Sequence, residues 1–171
     1  MRKILPFLIF IILLGCVKDQ ISNDESDFIN RRAGFNNSSN GNVYGNWIVA
    51  FYENLENGSI IKKSDVDSWG GLDVAIKFKD DSTFCGVNTS NEIAGHYTMQ
   101  NSMINIDVYG GSKVGQPEWG NMFSELVYSH SITSFKKSNS QLKLFYNNNK
   151  NCVVLYPHRR EIQCVWHYSG N

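Results

Sequence analysis

Between Leu72 and Met99 apolar and polar residues alternate, break at Asp80-Asp81, alternate again and close on Gly95-His96-Tyr97. A period of two marks half-buried strands, and Gly and Asn at the breaks allow the backbone to bend sharply, so this stretch predicts a β-meander. Val74, Ile76 and Phe78 share one face, and residues 79–83 make the turn. Short strands follow at 84–88, 93–99 and 103–108, and Tyr109-Gly110-Gly111-Ser112 ends the series. Upstream, residues 43–52 (VYGNWIVAFY) predict a first strand with Trp47, Val49 and Phe51 on one face. Residues 53–71 are polar and predict a loop.

The period then changes. Trp119, Met122, Phe123 and Leu126 fall at i, i+3, i+4 and i+7, which is one face of a short helix, and Pro117 suits its first turn. Strands return at 132–135, 142–146 and 152–156 between Ser- and Asn-rich turns, and Pro157 stops the last. The tail, 158–171, offers an edge strand at 162–166 or no regular structure. Short connections favour antiparallel neighbours. The expected fold is α+β but mainly β: a curved or barrel-like antiparallel sheet with one short helix inserted before the last strands.

The N-terminus has a different pattern. Arg2 and Lys3 precede an apolar run from Ile4 to Leu14, shorter than the ~20 residues of a membrane-spanning helix and suited to a secretory signal. It ends in Leu13-Leu14-Gly15-Cys16, which closely resembles the lipobox of bacterial lipoproteins. That resemblance implies cleavage after residue 15, a lipidated Cys16 as the new N-terminus, and anchoring in the membrane through its acyl chains. Val17 rather than Asp follows the Cys, which by the same resemblance favours the outer membrane. Residues 17–42 keep neither period and read as a disordered tether, with a root-mean-square reach of about 30 Å. The organisation expected is a leader at 1–15, a lipidated Cys and tether at 16–42, a folded domain at 43–157 and a tail at 158–171.

Charge adds an exclusion. Of 16 basic residues two, Arg2 and Lys3, belong to the leader, which leaves 14 against 16 acidic ones. With no basic excess to neutralise phosphates, nucleic acid is not an expected partner. Ten Phe, eight Tyr and four Trp support strands over helices.

Within the folded domain, Trp47, Gly86-Val87-Asn88, Gly95-His96-Tyr97, Phe123-Ser124-Glu125-Leu126 and Leu142-Lys143-Leu144 follow one another in an order similar to the META domain of HslJ-type heat-shock lipoproteins. The similarity runs from about residue 46 to 156. It implies an envelope protein linked to stress tolerance or surface interaction, with no agreed catalytic activity and no cofactor. Trp47, Gly86, Asn88, Gly95 and Tyr97 would be its structural motif residues. Val87 stands where that family has Cys, with Cys85 two positions earlier, so a role tied to the thiol does not carry over. Gly45-Asn46-Trp47 also resembles the opening of lipocalins, but those place their helix after eight strands, whereas three strand candidates follow Phe123 here.

Candidate chemistry is sparse. Asp65-x-Asp67-x-Trp69-Gly70 has Trp69 and Ile76 where a calcium loop needs oxygen ligands, so the calcium reading fails. His96, His130, His158 and His167 lack zinc spacing, and Ser129-His130-Ser131 is only adjacency. Neither a nucleophile elbow nor a phosphate-binding loop occurs, and an enzyme is not expected. Export permits a disulfide among Cys85, Cys152 and Cys164. Cys152 with Cys164 would close a small loop at the tail, Cys85 with Cys152 would cross the sheet, and all three could be buried thiols. Two functions remain. One is a tethered interaction module contacting an envelope protein or surface polymer. The other is a lipocalin-like carrier with an apolar ligand among Trp47, Phe51, Phe78 and Tyr97.

Overall fold

The computed structural model describes residues 41–67, 72–112 and 114–164, all within one compact unit. The leader, Cys16, the tether up to residue 40, Trp69 and Gly70, and the end of the tail with Trp166 and His167 lie outside the described residues.

Among the described residues nine strands and two helices follow in order: β1 (Gly45–Asn54), β2 (Ile60–Lys62), α1 (Lys63–Val66), β3 (Val74–Phe78), β4 (Thr83–Asn88), β5 (Asn91–Gln100), β6 (Met103–Gly111), α2 (Glu118–Tyr128), β7 (Ser134–Lys137), β8 (Leu142–Tyr146) and β9 (Asn151–Pro157). Every paired neighbour is antiparallel, and β1 pairs with β9 as well as with β3. Eight strands therefore close into a ring, with β2 an outlying strand on the far half of β1. The expected mainly-β class, the curved antiparallel sheet and the helix ahead of the last strands are all present.

The seam of the ring is thin. β6 and β7 share a single paired position, Met103 opposite Ser134, supplemented by Ile104 N–H to Thr133 O at 3.1 Å and Phe135 N–H to Ser102 O at 2.8 Å. Beside it, His130 Nδ1 lies 2.9 Å from Ile106 O and holds the turn after α2 on the exposed edge of β6. His130 adopts a left-handed backbone, φ 54°, to reach it.

Inward positions fill the ring. Val74, Ile76, Phe78, Phe84, Ile93, Tyr97, Ile104, Ile106, Leu142, Leu144, Val153 and Leu155 form one buried cluster with Trp119, Phe123 and Val127 of α2. Each fully buried side chain of this size contributes about 1.5–3 kcal/mol relative to exposure. Along β1 the expected alternation holds for Trp47 and Val49 and then slips. A bulge between Val49 and Phe51 inserts Ala50, so Tyr52 turns inward while Phe51 turns outward against Tyr156 (ring centroids 6.4 Å). One extra residue exchanges the faces of everything beyond it.

Other differences are local. The expected loop at 53–71 contains β2 and α1; three residues of strand and four of helix are too short for any periodicity, and Asp65 Oδ2 accepts the Lys62 N–H at 2.7 Å to start the turn. β7 begins at Ser134, two residues after the expected start. The tail forms no strand over 162–164.

Candidate functional site

The motif residues bracket the ring rather than meet at one point. At one end Trp47 donates its indole N–H to Val43 O at 2.7 Å, and Lys137 Nζ sits 5.5 Å from the ring centroid. Burial holds the Lys137 ammonium below its ordinary range. Tyr97 packs edge-on to Phe78 (5.0 Å) and donates its hydroxyl to Lys79 O, and burial pushes its phenol upward. Gly86 and Gly95 lie on the β4–β5 hairpin, where Gly95 pairs with Phe84 and Gly86 with Ile93. Both need the absence of a side chain: a Cβ on Gly86 would stand 3.0 Å from Ile76 Cα, and one on Gly95 2.5 Å from the Phe84 ring.

Asn88 belongs to the opposite, helix-capped end. Its amide donates to Ser124 Oγ, which also accepts from Gln116 Nε2 at 2.8 Å. Gln116 Oε1 accepts from Asn91 Nδ2 at 2.8 Å, and Asn91 Oδ1 accepts the Val114 N–H at 2.8 Å. This neutral network ties the β4–β5 turn to the approach and middle of α2. The helix lies close because Gly120 faces the Asn88–Thr89 backbone, where a Cβ would meet Asn88 O at 3.1 Å. The buried face is therefore Trp119, Gly120, Phe123 and Val127, with the expected Met122 and Leu126 only partly buried at its sides. Amides and hydroxyls of this kind hold a helix in place and have no titratable group for acid–base work. Trp119 stacks edge-on against Tyr52 at 5.0 Å, and Trp119 Nε1, Tyr52 Oη and Asn88 Oδ1 are buried without a hydrogen-bond partner among the described residues.

The four residues expected around a ligand cavity divide between the core and the outer face. Trp47, Phe78 and Tyr97 belong to the filled core, and Phe51 faces outward.

The thiols pair differently from either expected bridge. Cys85 is bonded to Cys164, across 79 residues and a Cα separation of 5.7 Å, and Cys152 is a free, buried thiol. The reason is the strand order. The tail leaves β9 and crosses the outside of β1 and β3 towards β4, away from the start of β9 where Cys152 sits. Cys152 instead lies opposite Glu53 on β1, 3.5 Å from Glu53 Oε2. Lys143 Nζ donates to the same oxygen at 2.8 Å. Burial, aided by the carboxylate and opposed by Lys143, pushes the Cys152 thiol up to about 11. It is thus a protonated, unreactive group at neutral pH. Sequence reasoning missed this trio because Glu53 lies 90 residues from Lys143 and 99 from Cys152, and only the β1–β9 and β8–β9 pairings unite them.

The remaining candidates resolve into structure. Ser129 and Ser131 hydroxyls approach each other at 2.6 Å while His130 turns to Ile106 O. His158 donates its backbone N–H to Asn46 O at 2.8 Å. His96 lies on the outer face of β5, its ring 4.9 Å from that of Tyr109. Among the described residues no group of three or more His, Cys, Asp or Glu could hold a metal, and no helix is long and apolar enough to cross a membrane.

No family model and no curated protein matches the chain. Two solved structures match the chain. One is a DUF4847 family protein from Bacteroides vulgatus ATCC 8482, 17% identical, with a TM-score of 0.52 over 68% of this chain and 94% of that one. The other is a protein from Burkholderia xenovorans solved by NMR, 10% identical, with a TM-score of 0.49 over 74% of this chain and 97% of that one. At such identity the first likeness speaks for the fold alone.

Proposed function

We propose that this chain is an exported lipoprotein, anchored through Cys16 in the outer membrane, whose barrel is a non-catalytic interaction module of META-like character. The observation that carries the reading is the Cys85–Cys164 bond, because disulfides form and persist in oxidising compartments outside the cytoplasm. It agrees with the leader and the Leu13-Leu14-Gly15-Cys16 motif, which are independent of it. Multiple acyl chains on Cys16 would gain ~0.8 kcal/mol per buried CH₂, enough for stable anchoring. The filled ring favours an interaction surface over an internal carrier site, since Trp47, Phe78 and Tyr97 already occupy the interior. The META-like character rests on Gly86, Asn88, Gly95 and Tyr97 sharing one hairpin. The partner expected is an envelope protein or a surface polymer.

Metabolic labelling with an alkyne fatty acid tests the anchor. The wild-type chain takes up label and sediments with outer-membrane vesicles, whereas Cys16→Ser takes up none and leaves that fraction. Labelling of Cys16→Ser equal to wild type would end the lipoprotein reading. Crosslinking in intact cells tests the module: a discrete adduct on the barrel is expected, and its absence removes the interaction reading while leaving the anchor intact.

A further inference from the structure

Residues 158–164 cross the outside of the barrel along a single row of paired positions. Asn46 on β1 lies opposite Lys77 on β3, and Lys77 lies opposite Cys85 on β4. The strap meets them in turn. His158 N–H donates to Asn46 O at 2.8 Å. Glu161 accepts from Asn46 Nδ2 at 3.4 Å and pairs with Lys77 Nζ. Cys164 is bonded to Cys85.

Several outward positions in this region are covered. Ala75, Cys85 and Ala94 alternate with inward residues and so face outward, yet all are buried, at 6%, 4% and 1% exposure. Ile162 in the strap is buried as well, at 7%. Small side chains on β3, β4 and β5 thus lie on the outer face where the strap is bonded to Cys85.

The fastening is unequal. The strap has no regular structure, and Glu161, with a side chain 59% exposed, forms the kind of surface ion pair that contributes little. The ring closes through β1 and β9 without the strap. The disulfide is the covalent hold on residues 158–164, beside the His158 hydrogen bond, the Glu161 pair and the burial of Ile162, and the β1–β9 pairing that closes the ring does not pass through it. Its two ends also differ, since Cys85 is buried and Cys164 is partly exposed.

We propose that Cys85–Cys164 is a redox latch: reduction by an extracytoplasmic dithiol oxidoreductase releases the strap from a folded barrel and bares the outer face around Asn46, Lys77 and Cys85. In the first step a thiolate of the dithiol attacks the Cys164 sulfur, the S–S bond breaks, and Cys85 leaves as a thiolate that takes up a proton. The second thiol of the reductant then attacks its own sulfur in the mixed disulfide and expels Cys164 as a thiol. Two electrons pass to the protein, and the dithiol becomes a disulfide.

The test treats the full-length chain in detergent with dithiothreitol, with no denaturant present. Alkylation mass spectrometry follows Cys85 and Cys164, circular dichroism follows the barrel, and hydrogen exchange follows residues 158–164. Both cysteines are expected to become alkylated with the near-UV spectrum retained, while the His158 amide exchanges at least about tenfold faster. Cys164→Ser should reproduce that exchange without reductant. If the bond yields only as the near-UV spectrum collapses, it is a structural staple and the latch is wrong. Unchanged protection of His158 after reduction would equally overturn it, because the strap would then be held by its other contacts.

Discussion

The ring of Phe84 lies across the bare Cα of Gly95, its directly paired neighbour on β5. A Cβ on Gly95 would stand 2.5 Å from Phe84 Cε1 and would also collide with the Asp107 backbone on the other side. The glycine lets three strands curve tightly while an aromatic ring replaces the packing that a side chain would have supplied.

Gly95→Ala is accordingly expected to destabilise the barrel by about 3 kcal/mol, since backbone lies on one side and a packed ring on the other. Chemical denaturation monitored by tryptophan fluorescence measures it. A loss below 1 kcal/mol would mean that the hairpin relaxes around the methyl group. Phe84→Leu, which removes the ring but keeps an apolar filling, should partly rescue Gly95→Ala.

Tyr52 carries a buried hydroxyl with no hydrogen-bond partner among the described residues, beside the edge of Trp119. Burial pushes its phenol upward, which again reflects an environment poor in polar partners. Tyr52→Phe removes the desolvated group and keeps the ring, so it should raise stability by about 1 kcal/mol. A comparable loss in thermal unfolding would show that the hydroxyl is satisfied in solution.

Cys152 is held protonated by burial and by Glu53, with the thiol pushed up to about 11. Iodoacetamide at neutral pH should therefore leave it unmodified in the folded protein and alkylate it fully in guanidinium chloride. Prompt modification of the native chain would contradict the described packing of β9 on β1.

The Glu53–Lys143 contact makes stability depend on acid. The hydrogen bond from Lys143 holds the Glu53 carboxyl below its ordinary value of 4.5. The folded state thus binds fewer protons than the unfolded one in this range. The contribution is present above the unfolded value and is lost as pH falls through the folded one. Asp81, held low by hydrogen bonds from Thr83, acts in the same direction. Lys143 is raised by Glu53, so its own share is present below its unfolded value and disappears only as pH rises through the folded one. Urea midpoints measured from pH 6 to pH 3 should fall less steeply in Lys143→Met than in wild type. Parallel curves would show that the pair does not form in solution.

Much of the sheet is legible from residues taken one element at a time. Val74, Ile76 and Phe78 announce β3, and the expected bounds of β8 coincide with the observed ones. Pro117 and the aromatic spacing of Trp119 and Phe123 announce α2. The rest depends on neighbours that local sequence does not see. The inserted Ala50 has no signature of its own, and only the β9 partner reveals that Phe51 and Tyr52 have exchanged sides. Which face of α2 is buried follows from where Gly120 meets the Asn88–Thr89 turn.

By itself the sequence determined that the chain is mainly β, where most strands lie, and that a helix interrupts them, because a period of two or 3.6 expresses which side of each element meets water. Tertiary structure alone decided that β1 closes on β9, that Cys85 rather than Cys152 receives Cys164, and that Glu53, Lys143 and Cys152 meet. Those are contacts between residues about 80 to 110 positions apart. Their proximity is set by how the twisted sheet coils into a ring, a property of all its strands together.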